Sequence, residues 1–419
     1  MKPIHILLIH QYFLEDNDGG GSRWNEMSRI WIEEGHHVTV LAGIGHYMHL
    51  KSGRYEGKYF AKQTNQDGVK VVRCYVSNFH DAKFLGRLFA QFCFLLSAIL
   101  GGIFYAKDKY DVVLSTSPPL FVGIAGLVIS WIKRIDFVLE IRDLWPESAI
   151  ETGVLKNKIL IRASFWLERV LYKRAKAINV LTPAFKEVLI EQKRVKADEL
   201  WMIPNASDFT LSDRVSKTFN RNAFRTELGL HDRFIIIYVG AHGVANHLIQ
   251  IIETAELLKN TIAHFLLVGD GAEKAFLIAE TRRRDLHNVS LIGTVSKADV
   301  FKYILAADAG ASVLKKTDVF KTVYSNKTFD YFACSKPVLL AIDGVSRDLV
   351  EIADAGLFVE SENPKDFAEK ILMYLENPAL ASRHGSNGHA YARKHFNREF
   401  LAREYLKNID KLLEQGCFA

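Results

Sequence analysis

One stretch in the second half of the chain gathers groups that bind anions. Ser325-Asn326-Lys327-Thr328 opens a helical segment, Asp330 follows within one turn, and Lys336-Pro337 leads into the apolar run Val338-Leu339-Leu340-Ala341. A lysine and free amides at a helix start are where a diphosphate could sit, although a plain amphipathic helix capped by Ser325 would look similar. Three strand-like runs upstream end in glycine: Tyr238-Val239-Gly240-Ala241-His242-Gly243, Leu267-Val268-Gly269-Asp270-Gly271 and Leu291-Ile292-Gly293-Thr294-Val295. Any one of these reads equally as a tight turn. Three of them together with Lys327 point to a nucleotide site. In the first half, Gly19-Gly20-Gly21 precedes a helix from about Trp24, so backbone amides can approach an anion or a substrate closely, without the GxGxxG or GxxxxGK[ST] spacing. Asp16 and Asp18 have the spacing of a DxD or an EF-hand start, but no glutamate stands where such a loop would end, and no metal is expected. Leu139-Glu140-Ile141-Arg142-Asp143-Leu144-Trp145-Pro146 ends a strand in two charges, which serve either as a neighbouring ion pair or as groups turned toward a ligand.

Positioning such loops requires parallel strands. Apolar strand-length runs alternate with helical patterns at Ile4–His10, His37–Ala42, Val69–Val76, Asp111–Ser115, Asp136–Ile141 and Ala177–Leu181. The alternation resumes at Phe234–Gly240, His264–Gly269, Val289–Ile292, Ala311–Leu314, Pro337–Ala341 and Leu357–Glu360. Strand and helix in alternation give an α/β protein with two doubly wound parallel sheets, and ligands bind beyond the carboxyl ends of such strands. Ile203-Pro204-Asn205-Ala206-Ser207-Asp208 is a cluster of turn formers and marks the break between them. Ser382–Gly388 reads as a further turn, and Ala390–Leu413 as a long helix.

With 419 residues, 49% of them hydrophobic, the chain suits two cores and excludes a disordered or fibrous class. Cys74, Cys93, Cys334 and Cys417 lack disulfide or zinc spacing, and a reducing cytosol is expected. No export signal is read in Met1–Ile9. The net charge is +6, and nearly all of the excess lies before Asp208. A basic surface seeks nucleic acid, anionic lipid or a phosphorylated substrate. Phe84–Ala106 is apolar and long, flanked by Lys83, Arg87, Lys107 and Lys109, and a second apolar run, Leu120–Ile132, ends in Lys133-Arg134. Arg87, Gln91, Ser97 and Gly101-Gly102 weaken a spanning reading. The two helices either lie against a sheet or dip into the cytoplasmic leaflet. The basic flanks favour peripheral attachment to the inner face of the cell membrane, with no nucleic-acid partner.

In order and spacing, these segments resemble the family 4 glycosyltransferases of the GT-B type. The second half carries Gly240, Gly269-Asp270-Gly271, Ile292-Gly293-Thr294-Val295 and Ser325 through Val338. The first half carries the glycine loop, Gly35–Leu41, Tyr55-Glu56-Gly57, Asp67–Val71, Thr116-Ser117-Pro118-Pro119-Leu120 and Arg142–Ser148. The set is similar to the WbuB-like subgroup of bacterial O-antigen, capsule and exopolysaccharide assembly. The resemblance implies two Rossmann-like domains facing a cleft: residues 1–205, rejoined by a C-terminal helix at about 390–419, and residues 206–389. It also implies retaining transfer from a UDP-sugar, an N-acetylated hexose or deoxyhexose, to a polyprenyl-diphosphate-linked glycan, with no metal and no cofactor.

By the same resemblance, Asp330 meets the donor ribose, while Ser325, Asn326, Lys327 and Thr328 address the diphosphate. Gly240, His242 and Gly269 line the donor, Gly293-Thr294-Val295 lies along the base, Gly20 and Gly21 close the diphosphate side, and Arg142 and Asp143 face the sugar or acceptor. Three departures stand out. Thr322 replaces the first of two acids expected eight residues apart. The loop after Gly240 carries Ala241, His242 and Asn246 in place of Arg and Lys, leaving Lys327 to be supplemented by Lys315, Lys316 or Lys321. Cys334-Ser335 stands where glycine is common. A relative without turnover, or a UDP-sugar epimerase on the same fold, is the alternative.

Overall fold

A computed structural model of the chain describes residues 2–16, 18, 22–44, 55, 57–77 and 84–416. Gly20, Gly21, Lys83, Glu56 and Cys417 fall outside them. The chain forms two compact units, one of residues 1–16, 21–204 and 399–419, the other of 17–20 and 205–398.

The first unit runs β1 (His5–Ile9), α1 (Arg23–Glu33), β2 (His37–Gly43), β3 (Phe60–Thr64), β4 (Lys70–Cys74), α2 (Phe84–Phe104), β5 (Val112–Ser117), α3 (Leu120–Lys133), β6 (Asp136–Ile141), α4 (Glu147–Glu151), α5 (Lys158–Arg174), β7 (Ala177–Val180), α6 (Pro183–Glu191) and β8 (Leu200–Met202). These strands form one sheet in the order β3-β4-β2-β1-β5-β6-β7-β8. All pairs are parallel except β3 with β4, so the sheet is mixed, not purely parallel. Antiparallel strands tolerate a solvated face, and β3 (FAKQT), at the edge, is half-buried or exposed at every position, which leaves it no apolar run to read.

The second unit runs α7 (Phe209–Thr218), α8 (Arg221–Glu227), β9 (Phe234–Val239), α9 (Ile249–Leu257), β10 (Ala263–Val268), α10 (Lys274–Arg283), β11 (Val289–Ile292), α11 (Lys297–Ala306), β12 (Ala309–Val313), α12 (Asn326–Ala333), β13 (Val338–Ala341), α13 (Val345–Ile352), β14 (Gly356–Phe358), α14 (Pro364–Glu376) and α15 (Pro378–His395). Its sheet, β11-β10-β9-β12-β13-β14, is parallel, as the unbroken apolar runs demand. One apolar layer on each face, around Phe301, Phe329 and Phe332 and around Phe265, Phe367 and Tyr374, buries it.

The stretch 382–388, expected to turn, is helical inside α15. Its glycines serve contact. A Cβ on Gly385 would lie 2.2 Å from the Ser335 carbonyl oxygen, and one on Gly388 2.5 Å from the Phe332 ring. The crossing helix accordingly starts later than 390. It is α16 (Arg398–Gly416), which from Glu399 packs in the first unit. There Leu401, Ala402, Tyr405, Leu406, Ile409 and Leu412 are buried at helical spacing. Tyr405 meets Trp31 and Trp201 with ring centroids at 5.6 and 5.7 Å, and Trp31 Nε1 donates to the Ala402 carbonyl at 2.9 Å.

α2 covers the sheet on one side only. Ala90, Phe94, Leu95, Ser97 and Ala98 are buried, and a Cβ on Gly101 or Gly102 would lie 2.7 Å from Cys74 Sγ or Ile129 Cδ1. The opposite stripe, Phe89, Phe92, Leu96, Leu100 and Phe104, is 44–58% exposed, and Trp131 at the end of α3 is 80% exposed. Gly86–Phe104 is long and apolar enough to cross a membrane, with 39% of it buried in the fold. The helix thus packs against the sheet by one face and leaves an apolar face exposed.

Candidate active site

In a doubly wound sheet, ligands collect where the strand order reverses. In the second unit that point lies between β9 and β12, and the loops leaving them carry Gly240 and the start of α12. β9 and β12 pair only at Ala309 with Ile236 and Gly310 with Ile237. Beyond that the strands diverge and the Tyr331 hydroxyl fills the gap, accepting from Val239 N at 3.2 Å and donating toward the Ala311 carbonyl at 3.0 Å. Gly310 makes room for the ring, since a Cβ there would stand 2.3 Å from it. This wedge fixes α12 against the sheet.

Three glycines let the neighbouring loops interlock. Gly240, Gly269 and Gly271 have φ of 138°, 146° and 157°, and a Cβ on Gly269 would lie 1.9 Å from the Gly240 carbonyl oxygen. Lys274 ties the same edge, donating to the Gly269 and Ile292 carbonyls at 2.8 and 3.0 Å. His242 is buried in this edge, with both ring nitrogens lacking a hydrogen-bond partner. Burial, with Lys274 and Lys327 nearby, pushes its pKa down to about 4, so the ring is neutral at pH 7.

Lys327 is half-buried. Its Nζ stands over the Tyr238 ring, 5.0 Å from the centroid, and 3.4 Å from Asn246 Oδ1, and its Cε lies 3.0 Å from where a Gly240 Cβ would be. Burial lowers its pKa to about 8, leaving it mostly charged at neutral pH. Of the four amides expected to face an anion, two are already engaged: Ser325 N donates to Ser346 Oγ at 3.2 Å, and Thr328 N to the Ser325 carbonyl at 3.1 Å. Asn326, exposed, and Lys327 begin the helix, where amides find no acceptor within the helix itself. The Ser325 hydroxyl accepts from Ser312 Oγ at 2.7 Å, and Thr328 Oγ1 is buried without a partner.

Asp330 is paired with Lys297, a residue that the sequence did not single out. Lys316 and Lys321, expected to supplement Lys327, instead meet Glu360 at 3.1 Å and Asp318 at 2.8 Å on the surface. Thr322 donates to the Val319 carbonyl in its own turn. Gly293 faces open space, and Thr294 and Val295 are half-buried beside it.

In the first unit the order reverses between β1 and β5. His10 Nδ1 and Thr116 Oγ1 meet there at 3.0 Å, both buried, a pair that the sequence hid inside two strand ends. Arg142 N donates to the Ser117 carbonyl at 2.8 Å, and Asp143 Oδ2 accepts from Ser148 Oγ at 2.6 Å. Burial raises the Asp143 carboxyl above its ordinary range, against the stabilising bonds from Ser148 and Leu144. Arg23, just past the glycine loop, makes a buried two-point contact with Glu140 at 3.0 Å and donates to the carbonyls of Ile203 and Pro204 at 2.9 and 2.6 Å.

These edges belong to a recognised architecture. Residues 18–206 match the glycosyl transferase 4-like domain, and residues 220–391 match the glycosyl transferases group 1 family. The two matches account for most of the chain, which belongs to the family 4 glycosyltransferases. It is similar to a protein of Escherichia coli (strain K12) assigned to colanic acid biosynthesis as the glycosyl transferase WcaI, 21% identical over 96% of this chain and 99% of that one. Its fold is that of GT-B enzymes. Anabaena Alr3699/HepE, solved with UDP and glucose, superposes with a TM-score of 0.71 at 17% identity, covering 97% of this chain and all of that one. WaaG, a glycosyltransferase involved in lipopolysaccharide biosynthesis, superposes at 0.66 and 14% identity over 97% and 99%.

Proposed function

We propose that this glycosyltransferase moves a sugar, an N-acetylated hexose or deoxyhexose, from a UDP-sugar to a polyprenyl-diphosphate-linked glycan. The setting is bacterial surface polysaccharide synthesis at the inner face of the cell membrane. Transfer retains anomeric configuration and uses no metal, as expected for the WbuB-like subgroup. The observation that carries this reading is Lys327: a charged ammonium at a helix start, with Asp330 tied to Lys297 and no carboxylate in an ion pair with it among the described residues. Departure of UDP places growing negative charge on the diphosphate, and a preorganised cation with helix-start amides stabilises that charge more as it grows. His242, neutral and unpartnered, offers a hydrogen bond beside it. Asp143, oriented by Ser148, is suited to take the proton of an acceptor hydroxyl. UDP as carrier is supported by HepE, solved with UDP and glucose, and polysaccharide synthesis by WcaI and WaaG. The exposed stripe of α2, flanked by Arg87, Lys107 and Lys109, supports membrane attachment.

The test is thermal stabilisation against a panel of nucleoside diphosphates and their sugars, followed by transfer with the best donor. UDP at one hundred times its dissociation constant should add about 2.7 kcal/mol of stability. A panel that leaves the melting midpoint unmoved would sink the reading, while binding without transfer or donor turnover would favour a non-catalytic relative.

A further inference from the structure

The Asp330 carboxylate does not stand alone. Lys297, the first residue of α11, places Nζ 2.8 Å from Oδ1 and 2.9 Å from Oδ2, and the two side chains are 20% and 17% exposed. Lys297 is itself held in place. Its ammonium lies 5.2 Å from the centroid of the fully buried Phe301 ring. The helix start is pinned by Ser296, whose Oγ accepts from Asp299 N at 3.2 Å and donates to the Asp299 carboxylate at 2.7 Å. The pair therefore joins the loop after β11, which carries Gly293, Thr294 and Val295, to the helix that carries Lys327.

An ionised carboxylate offers about four acceptor positions. An ammonium touching both oxygens takes one from each and leaves the others for hydroxyl donors, while fixing the plane of the group. Asp330 is also one methylene shorter in reach than a glutamate, so its orientation decides what it can meet. Its charge also reaches the next cation of the same helix, Lys327, three residues earlier, where it favours the charged amine against burial.

We infer that Lys297 is a positioning residue for nucleotide recognition: it holds the Asp330 carboxylate so that its remaining acceptor positions meet the two ribose hydroxyls. This rests on the reading of α12 as the UDP site. The sequence concealed the contact because the two residues lie 33 positions apart and Lys297 resembles any solvated residue of a helix start.

Calorimetry with UDP and 2′,3′-dideoxy-UDP on the full chain tests it. The wild-type protein should prefer UDP by about tenfold or more, the size of a charge-assisted hydrogen bond. Lys297→Met and Lys297→Gln should reduce that preference to below about threefold, with dideoxy-UDP still bound, and Lys297→Arg should restore most of it. Lys327→Ala should weaken both ligands alike and keep their ratio. Two neutral variants that retain the wild-type ratio would overturn the inference while leaving the UDP site standing. An arginine variant as impaired as the methionine one would also overturn it. A wild-type protein that binds neither ligand would overturn the UDP reading itself, and the inference with it.

Discussion

In the proposed reaction Lys327 is the residue on which the chemistry turns, and its environment predicts how it responds to change. Lys327→Ala should lower turnover by about two orders of magnitude, the usual cost of removing a preorganised donor from developing charge. Turnover near wild type at saturating donor would refute that role. A pKa of about 8 in the free protein adds a pH signature. A bound diphosphate favours the charged amine and raises that pKa, so binding takes up a proton near and above pH 8. UDP affinity should thus be highest below pH 8 and fall as the pH rises through it, with proton uptake visible in buffers of differing ionisation enthalpy. A flat profile would mean that another cation meets the diphosphate. Asp330→Asn should weaken UDP by roughly 1 to 3 kcal/mol by calorimetry, because a hydrogen bond to a charged acceptor is exchanged for one to a neutral amide and Lys297 loses its partner. An unchanged dissociation constant would move the ribose contact elsewhere.

At the scale of elements, α12 is placed by its own Tyr331, wedged between β9 and β12. Gly310→Ala would push a methyl group into the Tyr331 ring, 2.3 Å away, and should destabilise the protein by about 1 to 3 kcal/mol while weakening UDP binding. Chemical denaturation read beside calorimetry separates the two effects, and a variant as stable and as tight as wild type would show that the wedge does not set the helix. Elements also show where a single sequence is legible. Central strands such as Phe234–Val239 and Ala263–Val268 are buried on both faces and announce themselves as apolar runs. β3 is a polar edge, and β8 spans only Leu200–Met202, too short for a periodic signal. Gly385 and Gly388 read as turn formers, yet the absence of a side chain serves close packing there. Within the site, the glycine edges and Lys327 were visible as motifs. Lys297, His10 with Thr116, and the Ser312–Ser325 contact were not, since each depends on a partner brought close only by folding.

For the molecule as a whole, the proposed membrane attachment draws on the basic balance and the α2 stripe together. Buried Phe94 and Leu95 belong to the core, so the face available to lipid is Phe89, Phe92 and Leu96 with their neighbours. The protein should float with anionic liposomes and resist release by salt alone. Each basic residue near such a surface contributes about 1 kcal/mol that salt screens, whereas apolar insertion is not screened. Serine at Phe89, Phe92 and Leu96 should reduce flotation and transfer to a lipid-linked acceptor, with UDP binding unchanged. Flotation equal to wild type in the triple variant would rule this face out.

The return of α16 has a consequence for how the chain is made. The aromatic cluster of Trp24, Trp31 and Trp201 is completed by Tyr405, which leaves the ribosome only after the whole stretch Asn205–Arg398. At ordinary elongation rates that interval is about 10 to 40 s. The half of the protein synthesised first is therefore the half finished last. Throughout the interval its tryptophans lack the ring that packs against them in the finished fold.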